Sequence, residues 1–480
     1  MYVIPHLPHP STLLLLLLLL CLGLASSQHG SFQPEGCTED AVASLYSNTP
    51  YPPRDPAHEE DGKILHPKHE DPNLIRSTIF GGHQLPSPFR ALVAGGGTGD
   101  ATLALAIGLV RSGQKATILQ VDPSQASLDI AQQRIQKHSH TLQHSGVRIL
   151  FLKAKISDLP HRDLGGLFHY INCIGVVHHM PDPQSGLNIL SNLLYSNGGI
   201  NFMVYASIGR TGVYHVRKMA RLLRRSNDVG DVKKGNATQM RIPTVEESRA
   251  VLQNLPSTNY FLRNTGIQQS IDLTEYGDVG LSDLIQNPCD IAMTIDQVHR
   301  SLGVANLKIL TPVHPSMYRP TGSSELLAAL SHLSWVERAA FAELQSGTIM
   351  FHHLWLVKHN STVVPTERLP WTKQSIPCRA DWLPDTFMTP AEMNRGLFDQ
   401  EVRYETQMGG DAGADVVGDG ALAGLGPTIV SHMDCRLTLL EIWKIVKKQA
   451  AWRVTWKIFL LHAEEWKVSL LKARAVHTLV

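Results

Sequence analysis

Arg90-Ala91-Leu92-Val93-Ala94, then Gly95-Gly96-Gly97-Thr98-Gly99-Asp100, then the helix-forming run from Ala101 to Val110, is the stretch on which the fold turns. A short apolar run, a glycine turn and good helix formers read as strand, turn and helix, the opening unit of a doubly wound α/β sheet. Glycines at such a turn let the backbone approach a ligand and present helix N-terminal amides to it. Alone the pattern is weak, because glycine turns also serve plain loops. The dinucleotide fingerprint requires a glycine where Asp100 stands, so an NAD(P)-dependent oxidoreductase is the second reading.

The flanking sequence continues the alternation. Ala116 to Val121 is a second β-type run ending in Asp122, 23 residues beyond Gly99, where a doubly wound sheet places the acid that reads ribose hydroxyls. Ser124 suits the N-cap of the helix that follows. Val147 to Leu152 is a third run and leads to Asp158. Phe168 to Val177 is a fourth and runs into Gly175-Val176-Val177-His178-His179-Met180-Pro181-Asp182-Pro183. A helix over Gln184 to Tyr195, a glycine turn at Ser196 to Gly199 and a fifth run from Ile200 to Tyr205 complete the series.

The spaced glycines 95, 97 and 99, the acids Asp122 and Asp158, the Gly175–Pro183 segment and the glycine turn before strand five together resemble class I S-adenosylmethionine-dependent methyltransferases. Gly175 to Pro183 is the most specific of these motifs. The resemblance implies an α/β, Rossmann-like, doubly wound seven-stranded sheet with a largely helical insert, and S-adenosyl-L-methionine as methyl donor. It assigns Gly95, Gly97 and Gly99 to the methionine end of the donor, Asp122 to the ribose and Asp158 to the adenine, with Pro123 and Cys173 counted beside them as cofactor-binding. His178 and His179 fall where the methyl would sit, and either imidazole is chemically suited to take an acceptor proton. The bland alternative is that the pair packs in the loop under the donor. No metal is expected, since Asp182 stands largely alone near strand four.

Three flanking motifs are similar to one poorly characterised group within that family. They are Tyr46-Ser47-Asn48-Thr49-Pro50-Tyr51-Pro52, Gly209-Arg210-Thr211-Gly212-Val213-Tyr214, and Asp283 to Asp290 with Thr294-Ile295. The resemblance therefore spans Tyr46 to His359. It leaves the acceptor open between a small molecule and a protein, and it leaves a catalytically silent donor-binding protein as a further alternative. Arg210 and Tyr214 are candidate acceptor contacts or helix-start structure. His352-His353 falls in an expected edge strand, where neighbours face opposite sides and do not converge on one metal.

Composition bounds the remainder. The chain has 480 residues, 43 basic against 42 acidic, which gives no global field for nucleic acid. The tail from Arg436 holds nine basic and three acidic residues, leaving 34 basic against 39 acidic and a charge of −5 on the rest. Nucleic acid is accordingly disfavoured as a partner, and peripheral membrane contact would come from this basic amphipathic tail. Six cysteines with no C-x-x-C pair fit neither a disulfide scaffold nor a zinc finger. Ser11 to Ala25 has the leucine core of a secretory signal, closed by small residues, though no Lys or Arg precedes Arg54. The cysteines beyond it are odd in number and read as a reducing compartment. A secretory route, or an organelle reached through it, is expected if the leader is real, and the cytoplasm otherwise. The expected organisation is a leader over 1–27, an extension over 28–80, the donor-binding core over 81–226, a helical insert over 227–345 covering the acceptor, a closing edge strand over 346–360, an irregular region with a glycine-rich linker over 361–427, and the tail over 428–480.

Overall fold

The computed structural model describes residues 36–59, 68–228, 242–268, 270–364, 376–379, 441–445 and 476–479. The expected leader, the glycine-rich stretch 408–427 and the tail except 441–445 and 476–479 lie outside the described residues.

The apolar runs become strands: β1 Phe89–Ala94, β2 Ala116–Asp122, β3 Val147–Lys153, β4 Phe168–Ile174, β5 Leu194–Tyr205, β6 Leu307–Pro312 and β7 Phe351–Lys358. They form one seven-stranded sheet in the order β3-β2-β1-β4-β5-β7-β6. Strands β1 to β5 pair in parallel, whereas β7 runs antiparallel to both β5 and β6. The closing strand expected at the edge over 346–360 is β7, but it lies inside the sheet between β5 and β6, and β6, which shares the direction of β5, is the edge. The chain also places β6 inside the span expected to be a helical insert, whose helices include Val245–Gln253, Ile295–Val304 and Trp335–Ser346.

Side-chain alternation along the strands builds a core on each face of the sheet. Leu92 and Ala94 of β1 join Leu187 and Leu190 of the helix Pro183–Leu193. Phe89, Ala91 and Val93 join Leu105 and Leu109 of the helix Asp100–Arg111 on the other face. A third cluster, around Val213, Phe261, Leu281 and Leu284, binds the helical segments to one another.

Two local readings change. The glycine turn at Ser196–Gly199 lies inside β5, which starts at Leu194, and the β4–β5 register shifts between Phe168 and Tyr170. Close approach explains these glycines: a Cβ at Gly198 would sit 2.7 Å from the His169 carbonyl oxygen, and one at Gly199 the same distance from Ile79. The cysteines also differ from expectation. Cys37 and Cys289 form a disulfide across 252 residues, while Cys173 is a free buried thiol. An odd count concealed the pair, because pairing is set by neighbours in space and not by spacing in the chain.

Candidate functional site

Strand order reverses where β1 separates β2 from β4, and in an open α/β sheet the crevice at the carboxyl ends of those strands is the ligand site. A cavity of about 510 Å³ opens there, within the range of small-molecule and cofactor sites.

One wall is the loop after β1. Gly95, Gly96 and Gly97 line it, and Gly95 and Gly97 have φ of +68° and +50°. The loop is held from β2: Gln120 Nε2 donates to the Gly97 carbonyl at 2.9 Å, and Gln120 Oε1 accepts from Thr102 at 2.6 Å. Gly99 is not on this wall. A Cβ there would lie 2.8 Å from that of Ala131, so Gly99 allows the helices Asp100–Arg111 and Gln125–Lys137 to approach. Asp100, which stands where a third fingerprint glycine would be, accepts both Nε and Nη2 of Arg54 and Nη1 of Arg134. Burial alone would raise the pKa of its carboxyl, but the two guanidiniums hold it below its ordinary value.

Asp122 closes β2 and faces the cavity beside Pro123. Its Oδ2 accepts from the Gly97 amide at 2.9 Å and its Oδ1 from the Ser124 amide at 2.8 Å. Burial outweighs these bonds and raises its pKa to about 6. After β3 the wall is Ala154, Lys155 and Ile156. Asp158 lies just beyond, its Oδ2 accepting from the Lys155 amide at 3.0 Å in the cap of the 3-10 turn. From β4, Asn172 and Ile174 line the cavity while Cys173, between them, points into the core cluster. Its thiol pKa is pushed up by burial to about 12.

The opposite wall is aromatic and acidic, and no sequence motif assigns it a role. Tyr46, Tyr51, Tyr205, Tyr276 and Asp283 line it, with Met180 and Met203. Asp283 Oδ1 accepts from the Tyr46 hydroxyl at 2.7 Å and Oδ2 from that of Tyr205 at 3.2 Å. Tyr51 donates to Asp272 at 2.6 Å, where burial and the nearby Asp283 charge push the carboxyl up to about 7. Two of the segments that supply these groups, around Tyr46 and Asp283, are visible in the sequence as motifs. Their meeting across 237 residues is not.

The paired histidines separate in role. His179 lines the cavity, and its Nδ1 lies 2.6 Å from the Cys289 carbonyl oxygen. A carbonyl can only accept, so the neutral ring carries its proton on Nδ1 and keeps Nε2 as the acceptor. Burial lowers the pKa of His179. His178 is fully buried against Tyr205, with ring centroids 3.9 Å apart, and among the described residues neither ring nitrogen has a hydrogen-bond partner. Arg210 and Tyr214 stand behind this wall, both bonded to Asp290, and the Arg210 guanidinium lies 3.5 Å over the Tyr205 ring. His352 and His353 diverge: the first bonds to Tyr318 and Met293, the second to Asn201.

Under the floor, Glu70 is buried and accepts from Tyr170, Asn172 and Asn201 at 2.6 to 3.0 Å. Burial raises its pKa to about 8 despite these donors. Among the described residues, no group of three or more His, Cys, Asp or Glu is placed to hold a metal ion.

Comparison with known proteins agrees with this architecture. Residues 92–200 match the family model described as "Methyltransferase domain". An uncharacterized protein of Synechococcus sp. is 29% identical over 299 residues, which span 61% of this chain and 65% of that relative. PKMT2 from Rickettsia typhi superposes with a TM-score of 0.58 at 14% identity, over 87% of this chain and 76% of its own. The same protein in complex with AdoHcy gives 0.56 at 15%, over 87% and 77%. With the glycine loop, the strand order and the matched segment in agreement, residues 92–200 match a methyltransferase domain and the chain has a Rossmann-like fold shared with PKMT2.

Proposed function

We propose that the protein transfers a methyl group from S-adenosyl-L-methionine to an amine nitrogen of a small-molecule or protein acceptor. The observation that carries this reading is one cavity with two unlike walls, a glycine loop bonded to Asp122 on one side and Asp283 between two phenols on the other. The complex of the rickettsial neighbour with AdoHcy supports the choice of donor.

The residues fit that donor. Gly95 and Gly97 keep the loop clear of side chains where the methionine end would lie, and Asp122 offers carboxylate lone pairs to ribose hydroxyls. Pro123 and Ile156 supply apolar surface near the adenine, whereas Asp158 lies outside the lining and positions the Lys155 amide. A sulfonium methyl is electrophilic without further activation, so the protein's share is chiefly orientation. Asp283 favours a cationic amine, and the Tyr46 ring beside it suits the same charge. His179, with Nε2 as acceptor, takes the proton that the amine must release.

Incubating the full chain with methyl-labelled donor and a panel of amine, hydroxyl and carboxyl acceptors tests the reading. Label in acid- and base-stable N-methyl product is expected. Label confined to base-labile esters or to ethers would contradict the amine assignment.

A further inference from the structure

The cavity's aromatic wall is stapled shut from outside the sheet. The helix Glu39–Asn48 and the segment after it supply Glu39, Val42, Tyr46 and Tyr51 to the lining. Among the described residues this segment rests on a small satellite cluster, Cys37, Val42 and Cys289 with Tyr46 and Ile291 packed against it, separate from both cores of the sheet. The disulfide is the centre of that cluster. Its other half, Cys289, lies in the loop that supports both reacting sides: the Cys289 carbonyl orients His179, and Asn287 Nδ2 donates to the Tyr46 hydroxyl at 2.9 Å.

We propose that the Cys37–Cys289 disulfide is a redox-sensitive strap that holds the N-terminal wall against the cavity, so that its reduction opens the site and weakens donor and acceptor binding. The proposal rests on the reading of the cavity as a methyltransferase site. Reduction by a dithiol adds two electrons and two protons: the S–S bond breaks, each sulfur becomes a thiol, and the dithiol closes into its own disulfide. Cys289 is fully buried, whereas Cys37, at 9% exposure, lies nearer the surface.

Once the covalent link is gone, the wall is held mainly by polar contacts. These include the bond from Tyr46 to Asp283 at 2.7 Å, that from Ser124 Oγ to the Tyr46 carbonyl at 3.0 Å, and an exposed ion pair between Lys155 and Asp40 at 2.6 Å. Exposed pairs contribute little, and three buried apolar residues form a small core, so this wall opens before the sheet does. A chain carried along the secretory route would meet conditions that form the bond, and a reducing compartment would meet the opened form.

Hydrogen exchange of the full chain, oxidised and after dithiothreitol, is the test, with S-adenosylhomocysteine titrated into both. Faster exchange confined to residues 39–51 and 287–291 is expected on reduction, with the donor product bound about fivefold or more weakly, the low end of couplings carried by a two-state element. Cys37→Ser should behave as the reduced protein whether or not the dithiol is present. Unchanged exchange at those segments after verified reduction overturns the strap. Absence of binding in either state, with the exchange change present, overturns the methyltransferase reading and leaves the strap standing.

Discussion

The backbone amide of Gly97 donates to Asp122 Oδ2 at 2.9 Å, so the loop after β1 and the acid that ends β2 are one unit. Replacing Asp122 with Asn should therefore loosen the loop and remove a charged acceptor together. A carboxylate-to-hydroxyl bond contributes about 1.5–3 kcal/mol, or roughly ten- to hundredfold in affinity. That loss should appear in the donor dissociation constant measured by calorimetry.

The same carboxyl gives donor binding a pH dependence. Ribose hydroxyls donate to the ionised form, and burial has raised the Asp122 pKa to about 6. Affinity should hold at and above neutral pH and fall as the pH drops through about 6. Asp122→Asn should flatten the profile, and a variant that keeps it would refute the assignment.

How much of this was legible in the sequence follows from the range of each interaction. The glycine loop, Asp122 and the strand series are local patterns, and they emerge where expected because a strand, a tight turn and a helix are each specified by contiguous residues. The motif groups Gly99 and Cys173 with the binding residues. Their positions follow packing, one against Ala131 and the other into the core between two cavity-lining neighbours. The aromatic wall depended on Tyr46 reaching Asp283, and the disulfide on Cys37 reaching Cys289, and no periodicity encodes contacts of that separation.

Gly97→Ala should damage both walls. The new Cβ would meet the Tyr51 carbonyl oxygen at 2.4 Å, on a residue whose φ is +50°. A left-handed position that rejects alanine costs at least about 1 kcal/mol, so the melting midpoint should fall along with donor affinity. Gly113→Ala, at φ +66° with nothing within 4 Å, isolates the backbone strain. It should lower the midpoint without touching donor binding.

His179 and Asp283 separate turnover from acceptor recognition. His179→Gln should lower kcat by about a hundredfold or more, as loss of a general base does, with donor affinity kept. The base acts when neutral and burial lowers its pKa, so the acid limb of wild-type activity should lie below pH 6.5. Asp283→Asn should instead raise the KM for an amine acceptor by about tenfold, the equivalent of about 1.4 kcal/mol. Equal effects of the two variants on kcat and KM would deny the division of roles.

Glu70 predicts a stability trend. Its folded pKa is raised to about 8 from an ordinary 4.5, so the fold favours the protonated form. Its contribution is present in full below about pH 4.5 and is lost as pH rises through about 8. Thermal melts of Glu70→Gln, whose amide can still serve Tyr170 and the asparagines, should lose that part of the decline. An identical pH dependence in both proteins would show that the carboxyl is ionised throughout.

The central claim is that the cavity beside Gly97 and Asp122 holds S-adenosylmethionine. Calorimetric titration of the full chain near neutral pH, with S-adenosylmethionine and NAD in separate runs, tests it most directly. The account predicts saturable binding of S-adenosylmethionine at one site per chain, greatly weakened in Asp122→Asn, and no comparable binding of NAD. No heat with S-adenosylmethionine, or tighter binding of NAD, would contradict it.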